Sequence, residues 1–154
     1  MVVDTAMYVL HGLFAALWTG SVLFVALAVL PAAQDGAFDP DAFGTLVGRL
    51  QWITRVGALV TLITGGHLAG SFYTVGTLTG TGPGHLVLTM TALWLALAAV
   101  VEVGSMRAKR GIAEGKKREP ARDARPFYYA GALFSIGLLV VAGLLGVNRL
   151  VGIL

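Results

Sequence analysis

The run YVLHGLFAALWTGSVLFVALAVL, residues 8–30, contains no Asp, Glu, Lys or Arg. About 20 apolar residues of helix cross a bilayer's hydrocarbon core, so the run predicts one membrane span. Its upstream flank, MVVDTAMY, lacks Lys and Arg and carries Asp4. The apolar part also exceeds the roughly 7–15 residues of a signal-peptide core, so it is expected to remain as a span. Pro31 is expected to end the helix, because the residue before proline is pushed out of the α region.

Working outward, three further spans are predicted at about 46–72, 85–107 and 126–147. The segment AAQDGAFDPDAF separates the first two and YTVGTLTGTGPG the next two. AKRGIAEGKKREPARDAR leads into the fourth, which is expected to open on Pro126 as its first-turn residue. Short connections favour antiparallel neighbours. The fold class expected is all-α: an integral membrane four-helix bundle in a single domain covering 1–154.

Composition agrees. Of 154 residues, 56% are hydrophobic and only 12% charged, about half the charge of an ordinary soluble domain. Mean hydropathy is +0.81. The 21 glycines fall mostly inside the apolar runs, where small residues let membrane helices approach closely. The absence of cysteine excludes disulfides, thiolate metal sites, iron–sulfur clusters and thiol catalysis. No phosphate loop, nucleophile elbow or paired carboxylates appear. Lys and Arg do not interleave with aromatics, so no nucleic-acid partner is expected.

Eight of the eleven basic residues crowd into 107–125, and Arg49 lies on the same side. The opposite side has only Arg149. Basic loops near span ends stay in the cytoplasm. The 31–45 and 107–125 connections are therefore expected inside and both termini outside, in a prokaryotic cell membrane. The basic loop would meet the anionic inner leaflet.

That topology carries His11, His67 and His85, on three different helices, to similar depths near the outer face. Imidazole ligates haem iron, copper and zinc, and two facing imidazoles can hold haem b inside a bundle. His11 and His67 are the pair expected as ligands, with His85 as alternate ligand or propionate partner. Gly12, Gly65, Gly66, Ala69 and Gly70 supply low-volume positions in this layer for a flat macrocycle. Met7, one helical turn from His11, and Met90, beyond His85, keep copper open as the alternative. Hydrogen bonding between helices is the competing account of all three histidines.

Arg55 and Glu102 are the charges well inside the spans, at matching depth. Charges there are costly unless paired or snorkelled, which predicts an ion pair between the second and third spans. Arg55 could instead hold a haem propionate or a lipid headgroup. Trp52 fits an interfacial anchor, while Trp18 and Trp94 lie deeper, where packing explains them. Gly66-x-x-x-Gly70 is a small-residue contact motif, either within the chain or in a homo-oligomer.

HGLFAALWTGSVLF, residues 11–24, resembles the opening of the CopD-like superfamily of membrane proteins: a His at the outer end of helix one, then Trp and Gly about two turns on. RLQWITRVGALVTLITGG, residues 49–66, is similar in its Arg, apolar stretch and Thr-Gly. The superfamily includes copper resistance protein D and the haem-containing bacterial protoporphyrinogen oxidase. The resemblance implies a four-helix core with His11 as haem or metal ligand. Copper resistance protein D is larger, with more crossings. The Trp, Tyr and basic pattern of the oxidase branch is missing, so oxidase activity is not expected. Three functions follow as candidates: a b-type haem protein passing electrons to a quinone or extracytoplasmic partner, a structural or assembly subunit of a larger respiratory complex, and a copper or other solute transporter.

Overall fold

The computed structural model describes residues 1–151, with side chains as far as Asn148. The side chain of Arg149, the cation expected on the outer side, falls outside the described residues. Four helices are long and apolar enough to cross a membrane. They are α1 (Val2–Asp35), α2 (Pro40–Phe72), α4 (Gly82–Ala113) and α5 (Glu119–Val151). A short helix, α3 (Val75–Gly80), lies between α2 and α4. No strand occurs among the described residues.

All four long helices overrun the predicted spans. Hydropathy reports the thickness of the apolar slab, whereas Ala, Arg, Lys and Glu continue a helix well into water. Helices of 32–34 residues reach about 50 Å at 1.5 Å per residue, against a hydrocarbon core of about 30 Å. α4 therefore carries Arg107, Lys109 and Arg110 on helix, and α5 begins seven residues before Pro126.

The prolines depart from expectation for a local reason. α1 does not stop at Pro31. It is α-helical over Val2–Phe24, passes through a π turn at Val25–Val29 and resumes as α-helix over Leu30–Asp35. Pro31 has no N–H for the Leu27 carbonyl, and its ring would crowd that oxygen in a regular helix. In the π turn the Leu30 N–H donates to Val25 O instead, which re-spaces the ladder around the proline. The helix ends where Gly36 turns left-handed at φ +83°. Pro126 lies inside α5, and Pro120 takes the place in the first turn. At the start of α2, the Asp39 carboxylate accepts from the Asp41 N–H at 2.9 Å. Thr74 and Thr77 form a reciprocal capping box on α3.

The long helices pack in a ring, α1 on α2, α2 on α4, α4 on α5, and α5 back on α1. Contacts fix their antiparallel sense: Trp18 lies against Gly57 and His11 against Gly65, so numbers rise along α1 as they fall along α2. Trp18, Val22, Leu30, Val47, Leu50, Leu97, Val101 and Tyr128 fill the core. Leu13, Leu17, Leu59, Ile63, Leu95, Leu133 and Val140 point outward, an apolar exterior suited to lipid.

Candidate functional site

α2 is the least apolar of the four spans, and the reason is a buried polar stripe. Gln51, Thr54, Thr61 and Thr64 are all buried. Their spacing of three, seven and three residues keeps them on one face at 3.6 residues per turn. Each threonine meets a ring from a neighbouring helix. Trp18 Nε1–H of α1 donates to Thr54 Oγ1 at 3.1 Å, and Trp94 Nε1–H of α4 to Thr61 Oγ1 at 3.0 Å. His11 Nδ1 of α1 lies 3.0 Å from Thr64 Oγ1.

The threonine protons settle the direction of the last contact. Thr61 donates to Gly57 O and Thr64 to Val60 O, each at 2.7 Å. A hydroxyl has one proton, so Thr64 Oγ1 is an acceptor toward His11. The neutral imidazole then carries its proton on Nδ1 and its lone pair on Nε2. The ring is half-buried on bare backbone: a Cβ at Gly65 would stand 2.9 Å from His11 Cε1.

His67 is oriented in a second way. Its Nε2 lies 3.1 Å from Asp4 Oδ1 of α1, with both side chains about one-third exposed. A carboxylate holds the Nε2 proton, which leaves Nδ1 as the unprotonated nitrogen of the neutral ring. His11 and His67 thus share the α1–α2 seam at one end of the bundle. His85 does not join them. It is exposed on α4, and its Nε2–H donates to Thr79 O of α3 at 2.8 Å. Among the described residues no group of three or more His, Asp or Glu side chains gathers into a polydentate metal site.

Toward the basic end, Arg55 Nε and Nη2 both donate to the Glu102 carboxylate. Arg55 sits nine residues from Thr64, about 13 Å along the helix, so its partner is Glu102 and not the histidine pair. Gln51 extends the network: its Nε2 donates to Glu102 Oε1 at 2.7 Å while its Oε1 accepts from Lys109 Nζ. Trp52, 68% exposed, lies on the outer surface. A Cβ at Gly66 or Gly70 would meet nothing within 4 Å, so neither glycine serves packing within the chain.

Two concavities stand apart from the histidines. An open hollow at the basic end is lined by Arg107, Arg110, Gly111, Glu114, Lys116 and Asp123. A largely apolar groove runs between α1 and α2 on the outer surface.

The polar stripe is the part that residue-by-residue reading missed. Thr64 reads as one of several scattered polar residues until its spacing from Thr61, Thr54 and Gln51 is measured against a helical turn. Gln51 and Lys109 carry no such signal, because nothing along either helix names the partner across the seam. No protein-family model matches the chain, and no curated protein or solved structure is significantly similar to it.

Proposed function

We propose that this chain is a membrane-embedded b-type haem-binding protein, with His11 and His67 as the iron's ligands and electron exchange with a quinone or an extracytoplasmic partner at that end. One observation carries the reading. Both seam histidines have one ring nitrogen held by an orienting partner, Thr64 for His11 and Asp4 for His67. In each neutral ring the other nitrogen keeps its lone pair. A second partner that fixes tautomer and ring direction is how proteins prepare imidazole for a metal.

The donor set favours haem over a bare ion. Two imidazoles leave a lone copper or zinc ion short of protein ligands, whereas a porphyrin brings four nitrogens of its own and asks the protein for two. Beside the histidines, a Cβ at Gly12, Gly66 or Gly70 would meet nothing within 4 Å, which leaves low-volume surface for a flat macrocycle. When bound, the group supplies one-electron redox chemistry. The protein's part is to hold the imidazoles, and the Asp4 carboxylate would balance positive charge at the ligated His67. The basic 107–125 segment lies at the opposite end, which supports an extracytoplasmic histidine seam by the bias of basic loops toward the cytoplasm.

The test is optical. Protein expressed with a haem supply and purified in mild detergent should show sharp reduced-minus-oxidised α and Soret bands near one haem per chain. His11→Ala and His67→Ala should each abolish the bands, and His85→Ala should keep them. Helical, monodisperse protein without those bands would overturn the reading, and metal analysis of the same sample would then test copper.

A further inference from the structure

The groove between α1 and α2 is lined by Ala16, Leu17, Gly20, Phe24 and Val29 from α1, and by Leu46, Leu50 and Ile53 from α2. Arg49 stands in its wall near the basic end. From Ala16 to Val29 it covers fourteen residues of α1, about 20 Å of helix, slightly more than one leaflet's ~15 Å of hydrocarbon. Arg49 is exposed and, among the described residues, has neither an ion pair nor a side-chain hydrogen bond. Arg110 pairs with Glu114, Lys116 with Glu114 and Glu119, and Arg107 lies over the Phe127 ring; Arg49 is the cation that lines the groove.

We infer that this groove binds one anionic phospholipid from the leaflet on the basic side, with an acyl chain along α1 and the phosphate on Arg49. The charge pattern selects this occupant. An apolar helix of a second copy would fill the groove but bring no anion to the exposed Arg49 guanidinium. A phospholipid supplies both halves, a chain for the groove and an oxyanion for the planar guanidinium, which matches phosphate bidentately. Gly20 makes the room: a Cβ there would meet nothing within 4 Å. The groove can therefore be filled by substitution without pressing on the fold. The inference stands on the membrane fold alone and is independent of haem.

Native mass spectrometry of the detergent-purified full chain tests it, with phosphatidylglycerol and phosphatidylcholine of equal chain length as probes. Phosphatidylglycerol should be retained in preference to phosphatidylcholine. Arg49→Gln should weaken that retention about fivefold, the effect of one basic side chain at an anionic surface. Gly20→Leu should reduce retention with thermal stability unchanged, and soluble glycerol phosphate should not compete. Equal retention of the two lipids, or indifference to both substitutions, would overturn the site. Full competition by glycerol phosphate would reduce it to a phosphate site without a chain. A dimer that Gly20→Leu converts to monomer, with lipid retention unchanged, would give the groove to a second copy.

Discussion

His11 occupies the volume that a side chain at position 65 would need: its Cε1 lies 2.9 Å from where a Cβ on Gly65 would stand. The close approach lets Nδ1 reach Thr64 at 3.0 Å. Gly65→Ala should push the ring off Thr64 and remove that hydrogen bond, worth about 1 kcal/mol. Thermal unfolding in detergent should fall slightly with helix content retained, and haem occupancy should fall with it. Gly143→Ala on α5, where the new methyl also meets nothing within 4 Å, is the control and should lower neither.

Trp18 is 1% exposed, and its indole N–H has Thr54 as partner. Thr54→Val keeps the volume and strands that donor in an apolar core, for about 1–3 kcal/mol. Membrane interiors give the lower part of that range, because the unfolded helices also find partners in lipid. The same change at Thr91, exposed and bonded only to its own helix at Val87 O, should be nearly silent. Chemical or thermal unfolding of the two variants side by side checks the difference.

Arg55 and Glu102 are 59% and 30% exposed, and each is the other's charge partner. Removing one leaves the other charge against hydrocarbon, while removing both leaves none. Arg55→Met and Glu102→Met should each destabilise, and the double variant should be more stable than either single one. Glu102→Met should be the worse of the two, since it also strips an acceptor from Gln51. A double-mutant cycle of unfolding midpoints measures this, and strict additivity would show that the pair is uncoupled.

Between α4 and α5 the chain turns through Glu114 and Gly115, the latter at φ +76°. Lys116 and then Arg110 hold the Glu114 carboxyl below its ordinary value of 4.5. A lowered pKa in the fold contributes stability above the unfolded value, and that contribution is lost as pH falls through the folded value. Stability at this turn should therefore be flat above about pH 4.5 and decline below it. Glu114→Gln should flatten the decline. Hydrogen exchange of 110–119 across pH 3–6 reads it locally.

The fold's main lines were legible because one solvent dominates: four charge-poor runs admit few readings besides four spans. Helix ends were less legible. Hydropathy stops at the edge of the lipid, and Arg107–Ala113 continue as helix beyond it. Pro31 and Pro126 each carry the usual mark of a boundary, yet the neighbouring backbone absorbs the first and α5 continues through the second. The charges inside the spans, Arg55 and Glu102, stood out as candidates for each other because charge in lipid is rare and matching depth can be counted. Thr54, Thr61 and Thr64 did not stand out, since a threonine in a span ordinarily bonds its own helix. Two of these bond their own helix too, and only the packed neighbours show that the oxygens also receive a tryptophan and a histidine.

The π turn in α1 sets two rotational phases within a single rod. Its wider loop of backbone adds one residue to a turn, so everything after Val29 is offset by about 100° from where a regular helix would carry it. His11 and Trp18 belong to the first phase, and Gln34, which reaches Ala121 O of α5 at 3.4 Å, to the second. Deleting one residue from 25–29 would remove the surplus and leave a regular helix with Gln34 still facing α5, whereas straightening the π turn at full length would swing the final stretch away by about 100°. The surplus residue is thus absorbed between the two ends of this helix, and each keeps its own neighbour because the π turn takes up the extra count.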